Sequence, residues 1–176
     1  MGALVRSHDW SATPLGPVES WPLSLKTAVG VIIASPLPMI VLWGPNLVQI
    51  YNDGYRLITG AKHPAGLGQP TRECWPEVWN FNEPIYDAVV QGEARSFKQQ
   101  LLVIERHGVS EDAWFDLTYS PVVKETGTIC GVLVTVIETT MEVLAERRVA
   151  AERELQRRQF EQAPGFICIQ NGPEHT

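Results

Sequence analysis

Cysteine is scarce in this sequence of 176 residues, and its placement excludes two classes of site. Cys74, Cys130 and Cys168 lie far apart, and no Cys-x-x-Cys motif is present. The sequence therefore encodes neither a zinc knuckle nor a redox-active cysteine pair, and we expect no bound metal. Isolated cysteines commonly pack as small apolar side chains in a reducing compartment, so we expect a cytoplasmic location.

Positively charged residues are also fewer than negatively charged ones. The chain has 14 Lys and Arg against 20 Asp and Glu, which gives a formal net charge of −6. Proteins that bind a phosphate backbone depend on clustered positive charge, so we expect no nucleic-acid partner. The first ten residues, MGALVRSHDW, lack the basic-then-apolar order of a secretory signal.

A long uninterrupted apolar helix is missing as well. Residues 27–44 form a run of 18 residues without a charge, near the lower limit for a membrane-spanning helix. Pro36 and Pro38 lie near its middle, and each removes a helical hydrogen-bond donor. We therefore expect no membrane span in this chain, and instead a helix followed by a strand.

No catalytic constellation is recognisable. Cys74 and His107 could be imagined as a thiol pair, but a cysteine beside Trp75 is more often a packing residue. A phosphate-binding loop connects a strand to the start of a helix. Gly66 and Gly68 do not lie in such a connection, so the sequence does not support a phosphate-binding loop. The sequence contains nothing that resembles a kinase catalytic region. We expect that this chain is not an enzyme.

The first half of the sequence contains one clear helix and one hairpin. Residues 21–35 carry apolar side chains at helical spacing, and this helix is too apolar to stand alone. We expect it to cover either a homodimer partner or the second face of a sheet, at Val132, Val134 and Val136 or their alternates. Residues 39–43 and 47–51 then predict two strands joined by a Gly-Pro-Asn turn.

Short helices follow the hairpin. Asn52 and Asp53 can cap a helix that ends at Gly60. Residues 62–71 are rich in Gly and Pro, which predicts a loop. A further helix over residues 83–92 would place Ile85, Ala88 and Val89 on one face.

The second half changes to the period of strands. Phe115, Leu117 and Tyr119 alternate with polar residues, which predicts an antiparallel strand with one buried face. The last run is apolar on both faces, which favours either a central strand or a strand covered by a helix. Three long strands are predicted in all: residues 95–105, 113–123 and 129–139.

A charged helix is predicted after the last strand, over residues 141–162. Leu144, Arg148, Ala151 and Leu155 recur at alternating steps of four and three residues, which is a weak heptad seam. A solitary amphipathic helix packed on the sheet is the alternative.

Several segments carry a resemblance to a known family. LVQIYNDGYRLITG (residues 47–60) resembles the second strand and following helix of PAS sensor domains, and IETTMEVLAERRVAAERELQ (residues 137–156) resembles their junction with an outgoing signalling helix. Many members have Asp-Ile-Thr at this junction, where Glu138, Thr139 and Thr140 stand here. DWSATPLGPVESWPLSLKTAV and RECWPEVWN resemble the N-terminal PAS modules of bacterial multi-domain sensor histidine kinases.

This resemblance implies an α+β PAS fold: a five-stranded antiparallel sheet with helices on one face, an N-terminal helical extension and a long C-terminal signalling helix. The implied divisions are the extension (1–36), the PAS domain (37–140), the signalling helix as a coiled-coil linker (141–162) and the start of a second, truncated sensory domain (163–176). The implied role is the sensory input of a two-component system. The implied partners are a second copy in a homodimer and the downstream sensory and kinase domains of the same polypeptide.

The resemblance leaves the cofactor unknown. Flavin-adduct PAS domains carry their cysteine in Asn-Cys-Arg-Phe-Leu-Gln, whereas Cys74 lies in Arg-Glu-Cys-Trp-Pro-Glu, so a flavin adduct is disfavoured. Haem-binding members often use a histidine on the last helix before the long strands, and residues 81–92 contain none. His63 and His107 fall in predicted loops instead.

Two functions therefore stay open. The domain could bind a small molecule in its core, or it could be a ligand-free dimerisation and relay module whose core is filled by its own side chains. The residues proposed to line a pocket are Trp43, Tyr51, Trp79, Ile85, Phe115 and Tyr119. The residues proposed to relay a signal are Glu138, Thr139, Thr140, Leu144, Arg148, Ala151 and Leu155.

Overall fold

Five antiparallel strands form one sheet in a computed structural model, which describes residues 1–162. The spatial order is β2-β1-β5-β4-β3, so the last strand in sequence lies at the centre, as its apolar run predicted. The strands are β1 (Met39–Trp43), β2 (Val48–Tyr51), β3 (Arg95–Glu105), β4 (Ser110–Val123) and β5 (Ile129–Glu138). The predicted five-stranded antiparallel sheet is confirmed.

Helices occupy the connections and both ends of the described chain. The connection between β2 and β3 contains three of them, and short 3₁₀ turns lie at Trp10–Ala12, Val18–Ser20, Gly60–Lys62 and Pro76–Val78. The α-helices are α1 (Gly2–Ser7), α2 (Leu23–Ala34), α3 (Asp53–Thr59), α4 (Thr71–Cys74), α5 (Trp79–Val90) and α6 (Thr140–Gln162).

Strand alternation divides the sheet into two faces. Phe115, Leu117 and Tyr119 are all buried on the inner face, the one that α3, α4 and α5 cover, which confirms the register predicted for β4. Val132, Val134 and Val136 share this face, because Val134 pairs with both Ile40 and Tyr119. They are therefore not the surface that α2 covers.

The N-terminal extension packs on the other, outer face. Its helix α2 contacts β1 and β2 and buries Leu25, Val29 and Ile32, as the apolar periodicity required. The sheet therefore has helices on both faces. On the outer face, α2 lies mainly over β1 and β2 and makes a smaller contact with β4. The apolar surface that this helix was predicted to cover is therefore provided by the sheet of the same chain.

Asn52 connects the extension to the sheet. Its amide donates to the carbonyl oxygens of Ile32, Ser35 and Leu37 at 2.9, 3.2 and 2.6 Å. Its Oδ1 accepts from the backbone N–H of Met39 and of Tyr55, both at 3.0 Å. The second of these bonds is the helix cap that the sequence predicted, and the others join the end of α2 to the start of β1.

Helix α5 begins four residues earlier than predicted, at Trp79 instead of Glu83. The 3₁₀ turn at Pro76–Val78 leads directly into it, and Pro84 lies inside the helix. Pro84 lacks a backbone N–H, so the carbonyl of Asn80, four residues earlier, has no helical donor. Asn80 is exposed, so water can donate to this carbonyl instead. The earlier start adds Asn82 to the buried face.

The chain divides into two units, Met1–Thr140 and a second one from Met141 onward. The structure describes the second unit up to Gln162, where the predicted helix is found. The segment predicted to open a second sensory domain, residues 163–176, lies outside the described residues. Within residues 1–162, no helix is long and apolar enough to cross a membrane.

Candidate functional site

A small cavity of about 60 Å³ lies between the inner face of the sheet and α3–α5. Its walls are mostly apolar and aromatic, and no lining side chain is charged among the described residues. β4 contributes Phe115, Leu117 and Tyr119, and the helices contribute Tyr55, Asn82 and Tyr86. The position follows from strand alternation, which directs every second residue of β4 toward the helices.

Hydrogen bonds hold the polar side chains of this wall in place. The Tyr119 hydroxyl donates to Asn82 Oδ1 at 2.7 Å, which fixes the strand side of the wall to α5. Burial raises the pKa of both Tyr86 and Tyr119, so both phenols stay neutral. The cavity therefore presents neutral donors and acceptors.

Trp75 adds a donor to this wall. Trp75 is only 5% exposed. Its indole N–H has no hydrogen-bond acceptor within residues 1–162. A buried N–H without a partner is costly, so a polar group that reached it would be stabilised. The cavity can thus hold a small neutral group that accepts a hydrogen bond.

The structure brings two of the six proposed pocket residues to this cavity, Phe115 and Tyr119. It does not bring Trp43, because this residue pairs with Gly131 on the outer face. A Cβ at Gly131 would lie 2.7 Å from Trp43 Cε3, so glycine makes room for the indole there. Ile85 is buried in the core next to the cavity without lining it.

Tyr51 and Trp79 lie elsewhere for local reasons. The Tyr51 hydroxyl lies 3.0 Å from His63 Nδ1, which directs it toward the 60–70 loop. Trp79 packs against Tyr86 with ring centroids 6.0 Å apart and lies under the Arg72 guanidinium. Both are therefore neighbours of the cavity wall and not part of it.

Five polar or aromatic wall residues were not predicted from the sequence: Tyr55, Thr71, Trp75, Asn82 and Tyr86. Asn82 and Tyr86 are four residues apart and so share a helix face. This spacing could have identified them, but the predicted helix began at Glu83, one residue too late to include Asn82. Trp75 has no such periodic signal, because it lies in the break between α4 and the following turn.

A flavin does not fit this cavity. An engineered cavity of about 150 Å³ holds a single benzene ring, and 60 Å³ is well under that volume. Cys74 does not line the cavity, and burial raises the pKa of its thiol. Within residues 1–162, no three His, Cys, Asp or Glu side chains are grouped to hold a metal ion.

A second cluster lies where β5 ends and α6 begins. Arg106, in the β3–β4 hairpin, donates two hydrogen bonds to Glu138, at 2.7 and 2.9 Å, and a third to Glu111 at 2.6 Å. The Arg106 side chain is only 11% exposed, so water screens these charges weakly. The hydrogen bonds from Arg106 lower the pKa of the Glu138 carboxyl. We refer to Arg106, Glu111, Glu138 and Thr140 as the junction cluster.

The junction cluster includes the residue at which α6 starts. The Thr140 hydroxyl donates to Glu138 Oε1 at 2.9 Å and accepts from the Trp114 backbone N–H at 3.0 Å. The Thr139 backbone N–H donates to the Trp114 carbonyl at 2.7 Å. Three proposed relay residues, Glu138, Thr139 and Thr140, are thus fixed to β4. Arg106 could not be predicted from local sequence, because its partner Glu138 lies 32 positions away.

The remaining proposed relay residues lie along α6. Arg148, Ala151 and Leu155 are exposed, and Leu144 is half-buried. Charged pairs along the helix include Glu154 with Arg158 at 2.9 Å, which is the spacing that the sequence favoured. Leu155 is 58% exposed.

Comparisons with known proteins agree with this architecture. A sequence profile described as PAS fold matches residues 34–144. The chain superposes on the PAS domain of Bordetella pertussis BvgS with a TM-score of 0.52 at 20% identity, covering 74% of this chain and 96% of that chain. No curated protein matches the sequence significantly.

Two light-oxygen-voltage proteins are also similar in fold. The Rhodobacter sphaeroides LOV protein has a TM-score of 0.52 at 18% identity, covering 77% of this chain and 81% of that chain. An RNA-binding light-oxygen-voltage receptor has a TM-score of 0.53 at 17% identity, covering 85% of this chain. The chain spans 43% of that receptor's length. Likeness at these identities shows the fold alone.

Proposed function

The chain belongs to the PAS fold family, and from this premise we propose that it is the sensory input module of a bacterial two-component sensor histidine kinase. PAS domains are sensory, non-catalytic modules. Under the proposal the kinase activity belongs to other domains of the same polypeptide, and the chain acts in the cytoplasm as a homodimer. Its output passes through α6 to downstream sensory and kinase domains.

The junction cluster is the observation that carries this proposal. Arg106 extends from the β3–β4 hairpin and holds Glu138 through two hydrogen bonds, and Glu138 in turn accepts from Thr140 at the first residue of α6. A movement of the hairpin therefore acts directly on the start of the outgoing helix. Because Arg106 is nearly buried, losing one of its carboxylate partners would leave a poorly solvated charge, and we propose that the cluster switches between a formed and a broken state.

The seam of α6 suits a switch. Leu144, Ala151 and Leu155 are few and modest in size for a coiled-coil interface, and Arg148 interrupts them. We propose that this seam pairs weakly with a second copy, so that two helix arrangements have similar free energies. A signal can shift an equilibrium only by its differential affinity for the two states, so a small gap is required. A rigid spacer is the competing role for α6.

The filled core supports the second function that the sequence left open. A cavity of about 60 Å³ admits only a molecule of a few non-hydrogen atoms, and side chains such as Phe115 and Tyr51 fill the space around it. We therefore propose a relay whose core is filled by its own side chains, with a small neutral hydrogen-bond acceptor as the alternative ligand. Native mass spectrometry of the purified chain, followed by denaturing extraction, distinguishes the two.

The relay is tested in a full-length kinase that carries this chain as its input domain. Autophosphorylation is measured for Arg106→Gln and, as a matched control, Arg95→Gln, whose side chain is about half exposed and pairs with Glu93. We expect Arg106→Gln to change the basal kinase output several-fold, and Arg95→Gln to leave it unchanged. Thermal unfolding of the isolated chain separates a broken junction from a failure to fold.

Insertions test α6 itself. Adding one to four residues after Arg148 rotates everything downstream by about 100° per residue, given about 3.6 residues per turn. A relay predicts kinase output that rises and falls with insertion length. The proposal is contradicted if kinase output is the same for every insertion length and is also unchanged by Arg106→Gln. In that case α6 acts as a rigid spacer.

A further inference from the structure

A second and larger cleft, of about 490 Å³, lies at one end of the sheet, between its outer side and Val90 at the end of α5. It is bounded by the N-terminal extension, by the β1–β2 turn and by the start of β5, and it shares no lining residue with the inner cavity. Its volume falls in the range of about 300–1,000 Å³ that small-molecule sites occupy. We call it the outer cleft.

The walls of the outer cleft are apolar and rigid. Trp21 and Trp43 line it and are 5% and 6% exposed, so neighbouring residues hold both rings in place. The Trp21 N–H already donates to the Gly16 carbonyl at 3.0 Å, which leaves its apolar surface to form the wall. Leu25, Val48 and several prolines complete a surface that fits an aromatic or branched aliphatic group.

One charge lies at this cleft. Among the described residues that line it, Lys124 alone is charged, and no carboxylate faces it from the lining. Lys124 forms no ion pair or side-chain hydrogen bond within residues 1–162. The outer cleft therefore combines apolar walls with a single positive group.

The carboxylate next to Lys124 in sequence has a different partner. Glu125 accepts from the Ser24 backbone N–H at 2.6 Å and from the Ser24 hydroxyl at 3.4 Å, at the first turn of α2. Backbone hydrogen bonds at Glu125 and Ser24 lower the pKa of this carboxyl, and Lys124 contributes only a minor electrostatic effect. Glu125 therefore fastens the β4–β5 turn to the extension and does not neutralise Lys124 by direct pairing.

From this combination we propose that the outer cleft binds an amphipathic carboxylate, with its aromatic or aliphatic group against Trp21 and Trp43 and its carboxylate at Lys124. Such a ligand would contact the extension and β5 at once. Since β5 ends at Glu138 in the junction cluster, occupancy would stabilise the docked extension at the start of the strand that leads to α6.

The test uses the full 176-residue chain labelled with ¹⁵N at tryptophan, and its six indole N–H signals are assigned with single Trp→Phe variants. The probes are 4-phenylbutyrate and its neutral counterpart 4-phenyl-1-butanol. We expect 4-phenylbutyrate to shift the Trp21 and Trp43 signals saturably. Should Trp43→Phe fail to fold, a uniformly ¹⁵N-labelled sample of the unchanged chain is used, in which the backbone amides of Gly44 and Gly131 report on the same cleft.

Charge recognition is tested by substitution at Lys124. Lys124→Gln should weaken 4-phenylbutyrate binding about three- to fivefold, the size expected for a partly exposed ion pair, and leave 4-phenyl-1-butanol binding unchanged. Lys124→Arg should retain the affinity, and Lys98→Gln, on β3 away from the cleft, is the matched control.

Three results would overturn the proposal: shifts confined to Trp75 and Trp79 near the inner cavity, no saturable shift, or equal carboxylate affinity in Lys124→Gln and the unchanged chain. All three are measured without a kinase domain. Failure here therefore leaves the relay through α6 untouched, and failure of the relay leaves this binding test valid.

Discussion

The two faces of the sheet are built from the same strands but are covered to different extents. The inner face is covered along its length, and residues from β1, β4 and β5, such as Leu42, Phe115 and Val134, are almost fully buried there. On the outer face, Val41 is fully buried beside α2, whereas Val103 on β3 is 50% exposed. The extension therefore completes the core mainly over β1 and β2, with a smaller contact to β4, and leaves the outer side of β3 exposed.

Removal of the extension is the strongest way to break this contrast. Deleting residues 1–36 would expose Val41, Trp43 and Ile50 to water, all of which are now at most 6% exposed. A contiguous apolar patch of this kind promotes association, so we expect aggregation or insolubility. Size-exclusion chromatography with light scattering measures it. A soluble monomeric core would show that the extension is dispensable for the fold.

Truncation within the inner face should be nearly as damaging. Phe115→Ala removes a side chain that is 2% exposed and leaves a larger cavity, which costs about 3–5 kcal/mol of unfolding free energy. Val103→Ala, on the half-exposed outer part of β3, should cost less than about 1 kcal/mol. Chemical denaturation of both variants checks the comparison, and equal losses would mean that the two faces do not differ as described.

Asn52 couples the two faces, because it bonds the end of α2 as well as the start of β1 and α3. Asn52→Ala leaves buried carbonyls and N–H groups without partners, and we expect a loss of about 2–4 kcal/mol. Asn46→Ala in the exposed β1–β2 turn is the control. A loss below 1 kcal/mol for Asn52→Ala, by thermal and urea unfolding, would show that the coupling is weak.

The smallest expected effect concerns the polar end of the inner face, where Glu138 pairs in register with Phe115. The hydrogen bonds from Arg106 lower the pKa of Glu138 below its ordinary value of 4.5. The carboxylate therefore stabilises the fold above that value, and the contribution is lost as the pH falls through the lowered pKa.

We expect this contribution to be about 1 kcal/mol, because the Glu138 side chain is partly exposed to solvent. Unfolding midpoints measured between pH 3 and pH 7 should fall less steeply at low pH for Glu138→Gln than for the unchanged chain. Parallel curves would show that Glu138 does not carry this pH dependence. Asp112→Asn, a carboxyl on the same β4 hairpin strand, serves as the comparison.

Local patterns predicted most of the secondary structure. The strands β1 to β5, the short helix after Asn52 and the helix that ends the described chain follow from apolar periodicity, turn residues and a capping residue, all of which act over a few positions. Two starts are displaced by three or four residues: β4 begins at Ser110 instead of residue 113, and α5 begins at Trp79, where a Pro-containing turn runs into the helix. Such continuations depend on packing around Trp75 and Trp79 and not on local preference.

In the candidate sites, too, some features follow from local sequence pattern and others depend on tertiary packing. Phe115 and Tyr119 could be assigned to the core from period-two alternation alone, because neighbours along a strand alternate between faces. The pairing of Tyr119 with Asn82, of Arg106 with Glu138 and of Ser24 with Glu125 joins residues 37, 32 and 101 positions apart.

Residue periodicity thus determined by itself which side chains of each element are apolar and which face they share. The tertiary structure decided which apolar face lies against which partner: Trp43 toward the extension instead of the inner cavity, and the three valines of β5 away from α2. The physical reason is that strand register and chain topology, not local preference, bring distant residues within hydrogen-bonding and van der Waals distance.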